Sequence, residues 1–581
     1  MSSNAITIIY GTQTGNAADA AAELQEALGG RCRCGSAQFY DVSELPREQR
    51  VVFVVSTYGD GEAPDAFVPL WRQLLRRQLP ADWLRGVEYT VFGLGDSAYP
   101  KFNAVAQRLD VRLQRLGARR YHAVGLGDGA AWEEHWQQWL RSLLGAAALQ
   151  RWQEERQRVP PSPRSGLRRV LSGACFVGRR ELCFQSAAES ADQQEKRVMQ
   201  VTLRVVCTPS AEAPFVPGDV AYVLPHNRGG LVDAFFTLFP HLDPDALHVW
   251  EDAAYVRQTC REVVQRSFDL NALPRRRFLR QLATFATEPR EQARLRELAA
   301  DAAQYEAYIT REQRSVLLVL RDFVSARPPS LPHLLSLMPR LQPRGYSIAS
   351  DMRRCMGKAD DHGQRQVDID LCVRAVRYVT RLRRQRIGVA SGYFDELTPG
   401  DAVAMWVQPG VLRVPPDDRV PVLMVATGTG IGVFRCMATQ WAVSARRSSA
   451  NSEQCNKVLV HGCRRVGVDD LYADAWPEEH VLRLVAESRP ADSGAPKMYV
   501  QHRLRQDAQL VYERCFAGAD RRSRVQVLVA GGSAGASMPA EVRRALLEAV
   551  LGGCGGMRAD EADACLRQMV REGRYRVEVW D

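Results

Sequence analysis

Four short apolar runs near the start of the chain constrain its fold more than any other feature. They are AITIIY (5–10), VVFVVS (51–56), YTVFGLG (89–95) and YHAVGLG (121–127), and each runs into Gly or Ser. Stretches with helical spacing, such as 17–28 and 101–116, follow some of them. Strand–helix alternation of this kind predicts a doubly wound parallel sheet, with ligands at the carboxyl ends of the strands.

A chain of 581 residues exceeds what one hydrophobic core can serve, so three or four domains are expected. The first α/β unit spans 1–145. The charged, proline-bearing text LQRWQEERQRVPPSPRSGLRR marks a flexible linker over 146–170. From about 198 the pattern becomes β (MQVTLRVVC, FVPGDVAYVLP, QVDIDLCVRAVRY), interrupted at about 229–335 by a helical block. The last part, 418–581, is α/β again. The expected domains are therefore 1–145, a linker at 146–170, 171–417 with its insert, and 418–581.

Composition is that of an ordinary globular protein, 46% apolar and 25% charged. The net charge of +10 favours acidic partners. Zinc-ligand spacing, an RNP-type strand and basic aromatic repeats are all missing, so an acidic protein partner is expected rather than nucleic acid. The 14 cysteines are scattered, and the closest pair, Cys32 and Cys34, is C-x-C. No metal site is expected, and reduced thiols suit a cytoplasmic chain. MSSNAITIIYG enters a strand-like run directly, and nowhere do about 18 apolar residues follow one another, so no membrane anchor is expected.

GTQTGNA (11–17) follows a strand and opens a helix. Thr12, Thr14 and Asn16, with the backbone N–H groups of a helix N-terminus, suit a phosphate monoester. No Lys or Arg lies within this loop, unlike a P-loop. STYGDGE (56–62) places Tyr58 beside Gly59 and Gly61 at the second strand end, and GLGDSAYPKFN (93–103) places Tyr99 after the third. Two such rings could sandwich a planar cofactor, at roughly 1–3 kcal/mol per face by analogy with stacked bases.

Together these motifs resemble flavodoxin, in the form it takes in diflavin reductases. The resemblance implies FMN, with Thr12, Gln13, Thr14, Gly15 and Asn16 around the phosphate and Tyr58 and Tyr99 flanking the ring. Gly59, Gly61, Gly93, Leu94, Gly95, Asp96, Phe102 and Asn103 complete the two loops, and Asp128 of GLGD lies nearby.

The rest of the chain resembles the ferredoxin–NADP reductase half of the same enzymes. RGYSIAS (344–350) matches an R-x-Y-S motif, implying FAD. There Arg344 would meet a phosphate, Tyr346 would stack on the flavin and Ser347 would hydrogen-bond near its N5. GVAS, Gly388 with Val389, Ala390 and Ser391, is similar to the pyrophosphate loop, its N–H groups and the Ser391 hydroxyl being the donors. PGD (217–219) falls where the family begins its β-barrel. ATGTGIGVFR (426–435) carries Gly428, Thr429 and Gly430 for a dinucleotide, although the family more often has Pro at the position of Val433. HGCRR, DLY, ESR and KMYVQ follow in family order. Ser488, Arg489 and Lys497 would take a 2′-phosphate, with Tyr499 and Gln501 also expected to bind the cofactor, so NADPH is expected despite the neighbouring Glu487. Ala530 stands where relatives often carry Cys. The penultimate Trp580 would cover the FAD ring, with Glu578 near Ser347; Ser347, Glu578 and Trp580 are the expected catalytic group.

The fold class implied is multidomain α/β and β: a flavodoxin-like doubly wound domain, an FAD-binding β-barrel with a helical connecting insert, and a ferredoxin–NADP reductase-like NADP-binding α/β domain. The insert, PRRRFLRQLATFATEPREQARLRELA with YITREQRSVLLVLRDF, resembles that of the NADPH-dependent diflavin oxidoreductases of cytosolic iron–sulfur protein assembly. This resemblance implies a relay from NADPH through FAD and FMN to an acidic, anamorsin-type iron–sulfur protein, carried out by a monomer. The linker would let the FMN domain swing between FAD and acceptor. Two alternatives stay open: a donor of the sulfite-reductase flavoprotein or P450-reductase type with a haem acceptor, and a degenerate scaffold, to which Ala530 and Val433 point.

Overall fold

A computed structural model describes residues 6–12, 15–28, 32–57, 61–76, 78–145, 172–185, 196–207, 214–250, 256–359, 365–381, 383–447, 456–477, 480–492, 495–532 and 537–580. The expected linker thus lies outside the described residues, as do Gln13, Thr14, Tyr58 and Gly59. The chain divides into two compact units. The first is Met1–Val170 with Val232–Val264 and Ala272–Pro339; the second is Leu171–Leu231, Gln265–Asn271 and Arg340–Asp581.

The first unit holds a parallel sheet of β1 (Ile6–Gly11), β2 (Cys32–Ser36), β3 (Arg50–Ser56), β4 (Glu88–Gly95), β5 (Arg119–Arg120) and β6 (Gly125–Asp128). The path runs β2-β1-β3-β4, and both β5 and β6 pair with β4. β3 is buried at every residue from Val51 to Val55, as a central strand covered on both faces must be. One face carries α1 (Asn16–Ala27) through Ala17, Ala20, Ala21 and Leu24, an i, i+3, i+4, i+7 stripe. Trp136, Trp139 and Leu140 of the helix Trp132–Leu144 join them there. The opposite face takes Leu70 and Leu74 of Val68–Leu74 and Val105, Ala106, Leu109 and Leu113 of Ala104–Arg115.

The strand expected at 121–127 is interrupted. The carbonyl of Ala123 accepts from the Trp139 indole at 2.8 Å, and that of His122 accepts from the Thr90 hydroxyl at 3.2 Å. Side chains thus replace the ladder, and pairing resumes only at Gly125. The insert is helical as expected, with Arg276–Leu282, Pro289–Ala300, Val316–Asp322 and Leu331–Leu337 among its helices. It also contains an antiparallel pair, β10 (Leu247–Trp250) with β11 (Val256–Thr259).

The second unit begins earlier than the β pattern at 198 suggests, with β7 (Ser172–Gln185) paired to β8 (Lys196–Cys207). The PGD motif therefore follows two strands rather than opening the sheet. Its Gly218, at φ +95°, packs against the Leu412 carbonyl, and its Asp219 accepts from Arg413 at 2.5 Å. β9 (Val220–Val223), β12 (Arg344–Ser347), β13 (Met356–Ala359), β14 (Arg365–Arg374) and β17 (Ala402–Gln408) complete an antiparallel sheet, ordered β12-β9-β17-β7-β8-β14-β13. The expected barrel is thus a sheet whose ladders form an open path; an isolated bridge, Ile348↔Leu371, draws the end of β12 toward β14. β15 (Arg377–Val379) and β16 (Gln385–Ile387) form a separate hairpin.

A five-stranded parallel sheet follows: β18 (Val422–Thr427), β19 (Lys457–Cys463), β20 (Leu482–Glu487), β21 (Gln526–Gly532) and β22 (Tyr575–Trp580), in the order β20-β19-β18-β21-β22. Its central strand, β18, opens the long helix Ile431–Arg447 through the turn Gly428–Gly430. That order puts a topological switch beside β18, where dinucleotides bind in open sheets. Among the described residues no helix is long and apolar enough to cross a membrane.

Candidate functional site

In the first unit those of the expected residues that are described converge on the carboxyl edge of the sheet. β1 ends at Gly11, and the Thr12 hydroxyl accepts from the Gly15 amide at 2.7 Å, closing the loop just before α1 begins at Asn16. Gly15 has φ +96°, a conformation that favours glycine. At the neighbouring edge the Leu94 carbonyl accepts from the Thr57 amide at 2.7 Å. A Cβ on Gly93 would lie 2.5 Å from that of Ala106, and one on Gly95 2.8 Å from the Asn103 backbone nitrogen, so the end of β4 needs glycine at both positions for close approach.

Asn103 is fully buried at φ 50° and donates to the Gly127 carbonyl at 3.0 Å, while its Oδ1 accepts no hydrogen bond. Phe102, partly buried, caps the same turn through its carbonyl, which accepts from Gln107. Asp128 accepts from the Ser97 amide at 2.7 Å. Hydrogen bonds from Ser97 hold its carboxyl below the usual range, so it stays anionic beside Asp96. Gly61 faces the Lys101 side chain, and Tyr99 is 63% exposed at this edge. A phosphate-accepting helix N-terminus, glycine-lined strand ends, an unmet buried acceptor and an uncovered aromatic ring fit FMN.

In the second unit Arg344 and Tyr346 lie on β12, where Tyr346 pairs with Ala221 and packs edge-on to Phe394 at 5.7 Å. Burial pushes the Tyr346 hydroxyl up, so it stays protonated. Arg344 reaches Asp269 at 3.8 Å. Ser347 ends the strand opposite Val220. Gly388 caps the helix Val389–Glu396, whose first-turn amides, those of Val389, Ala390 and Ser391, face no intrahelical acceptor. The Ser391 hydroxyl lies inside this loop. It donates to the Gly388 carbonyl at 3.3 Å and accepts from the Val376 amide at 3.2 Å, which shapes the loop. This cradle, with Arg344, fits the pyrophosphate and ring of FAD.

On the parallel sheet, Gly428 has φ +54°, and a Cβ on Gly430 would lie 2.5 Å from the Ala530 carbonyl. β18 and β21 thus approach each other at the head of the long helix, and Thr429 sits between the two glycines. Beside it, β19 and β20 end in HGCRR and ESR. The Ser488 amide and hydroxyl both donate to the Cys463 carbonyl, at 3.0 and 3.2 Å, and the Arg489 amide donates to the Arg464 carbonyl at 2.7 Å. The Met498 amide donates to the Glu487 carbonyl at 2.9 Å, which returns Lys497 to the same edge. The Glu487 carboxylate is engaged by the Val466 amide at 2.9 Å. Arg464, Arg465, Arg489 and Lys497 therefore lie along one edge of the sheet, where two acids, Glu487 and Asp469, are engaged by the backbone amides of Val466 and Arg465. This donor set fits NADPH. Tyr499, 48% exposed, meets His502 edge-on, and Gln501 lies in the helix that Tyr499 caps.

The terminal strand takes its place parallel to β21, with Glu578 opposite Ala530 and Trp580 opposite Gly532. Tyr575 and Val577 pack on the helical core. Trp580 ends the strand at the carboxyl edge. Ser347 and Glu578 stand on different sheets.

Two clusters escaped the sequence reading. Arg435, 6% exposed, donates to the Ala349 carbonyl, meets Asp370 at 3.3 Å and lies 4.5 Å over the Tyr472 ring. It joins the dinucleotide helix to the antiparallel sheet. His461 of HGCRR bonds Asp470 of DLY at 3.1 Å, and Arg483 pairs with the same carboxylate. Burial pushes the His461 imidazole pKa down, against the pull of Asp470. Only the order of motifs hinted that these residues meet.

The family model for flavodoxin matches residues 8–139, and that for the FAD binding domain matches 186–393. The fold and its edges thus define a flavin-dependent electron-transfer oxidoreductase, with one flavodoxin-type and one FAD-binding domain. Curated relatives similar over essentially their whole length are each named NADPH-dependent diflavin oxidoreductase 1. The zebrafish (Danio rerio) and cattle (Bos taurus) proteins are each 31% identical over 100% of both chains, and that of Arabidopsis thaliana is 30% identical over 99% of both. The chain belongs to the NADPH-dependent diflavin oxidoreductase family and is an NADPH-dependent flavin oxidoreductase using FMN and FAD.

Proposed function

We propose that this reductase delivers electrons singly to an acidic iron–sulfur protein of the anamorsin type, in cytoplasmic iron–sulfur cluster assembly. Full-length membership of the diflavin family carries the reading. The resemblance of the helical insert and the net charge of +10 support the acceptor class. When bound, the two flavins supply the conversion of a hydride pair into single electrons.

The chain's residues bind and orient. Thr12, Gly15, Asn16 and the first amides of α1 hold the FMN phosphate, and Tyr99 shields the ring from water. Arg344 and the amides after Gly388 would hold FAD, and Tyr346 would stack on its ring. Gly428, Thr429 and Gly430 receive the NADPH pyrophosphate. Arg489 and Lys497, reinforced by Arg464 and Arg465, select the 2′-phosphate. Ser347 and Glu578 tune the hydride-accepting position.

Stopped-flow mixing of the NADPH-reduced protein with an anamorsin-type iron–sulfur protein tests this. Rapid cluster reduction, faster than that of an equimolar cytochrome P450 or sulfite reductase haemoprotein, is the expected result. Faster haem reduction would place the acceptor in the other class.

A further inference from the structure

The FMN phosphate loop faces a cation that its own sequence lacks. Between Gly11 and Ala17 there is no Lys or Arg, yet Arg275 Nη1 donates to the Gly15 carbonyl, and its guanidinium pairs with Asp19 at 2.8 Å. The guanidinium lies so close over Gly15 that a Cβ there would overlap it. Arg275 comes from the helical insert, where it precedes the helix Arg276–Leu282.

Two arginines of that helix seat it on the same unit. Arg277 donates to the Asp19 carbonyl at 3.1 Å and pairs with Glu26, and Arg280 pairs with Glu133 at 2.6 Å. The side chains of Arg277 and Glu26 are 17% and 23% exposed, whereas that of Arg275 is 41% exposed.

We propose that Arg275 is a phosphate-binding residue of the FMN site, supplied to the flavodoxin-type domain by the helical insert. A phosphate monoester carries roughly −1.5 to −2 charges at pH 7. A helix N-terminus offers roughly half a positive charge. The loop by itself therefore leaves most of the dianion uncompensated. A guanidinium has five donors in a fixed fork and can serve a phosphate while keeping the Gly15 carbonyl and Asp19. Gly15 is then required twice, for its positive φ and for the room the guanidinium occupies. FMN affinity and the seating of the insert share one side chain, so each strengthens the other.

The test uses the full chain stripped of FMN, titrated with FMN and separately with riboflavin, which has no phosphate, while flavin fluorescence is followed. Arg275→Gln should raise the Kd for FMN about tenfold, about 1.4 kcal/mol, and leave the Kd for riboflavin unchanged. Arg275→Lys should fall between, because a point charge replaces a fork. Equal weakening of both ligands would mean that Arg275 only supports the loop and would overturn the assignment. An unchanged Kd for FMN would overturn it too.

Discussion

Replacing Arg435 with Met should destabilise the second unit by about 3–5 kcal/mol, the cost of removing one partner of a buried ion pair. The side chains of Arg435 and Asp370 are 7% and 13% exposed and meet at 3.3 Å, so solvent screens them little. Asp351, also near the guanidinium, keeps its own partner Arg353 at 2.6 Å. The loss therefore falls on Asp370, left with the Thr202 hydroxyl at 2.8 Å. Burial already raises the Asp370 carboxyl above its usual range, with Thr202 and Arg435 opposing it. Without the guanidinium it rises further. A carboxyl raised on folding holds its proton longer in the folded state, so stability falls as pH rises through the folded pKa. The deficit of the variant should thus be larger at pH 8 than at pH 5. At roughly 2 °C per kcal/mol for a unit of this size, thermal unfolding followed by circular dichroism should shift down by about 6–10 °C. Adding Asp370→Asn removes the stranded charge and should restore at least half of that. A shift below about 2 °C, or no rescue by the second change, would refute the argument.

Gly430→Ala places a methyl against the Ala530 carbonyl at 2.5 Å, where only backbone can yield. The KM for NADPH should rise about tenfold in steady-state ferricyanide assays, and an unchanged KM would remove the close approach from the binding argument. Arg489 and Lys497 are exposed, so replacing both with Ala should leave melting unchanged. It should lower kcat/KM for NADPH by about 10–100-fold, at roughly 1.5–3 kcal/mol for hydrogen bonds to a charged group, while NADH is unaffected. Equal losses with both nucleotides would contradict a 2′-phosphate contact. Trp580→Ala, at the strand end opposite Gly532, should strengthen nicotinamide binding and relax the preference toward NADH, as read from the ratio of the two kcat/KM values.

Much of the fold was legible because parallel-sheet strands write themselves as apolar runs. VVFVVS and YTVFGLG became β3 and β4 within a residue of their expected ends. The misses were places where tertiary partners override local pattern. The run at 121–127 yields its centre to side-chain donors from Thr90 and Trp139. β7 reads as SGACFVGRRELCFQ, too polar and irregular to announce a strand, and it is held by β8 across two register shifts. Nothing local in GVAS told that Val376 and Gly388 would engage the Ser391 hydroxyl.

The sequence by itself determined the loop before the first helix, the RGYS strand, the glycine turn after β18 and the strand that ends in Glu487. All are runs of neighbouring residues whose chemistry depends on local backbone. Tertiary structure alone decided which charges meet across distant segments. Arg435 finds Asp370 from 65 positions away, and Arg275 finds Gly15 from 260. An arginine in a helix reads the same whether water or a buried carboxylate receives it. Only packing removes the water, and with it goes the indifference of the charge to its partner.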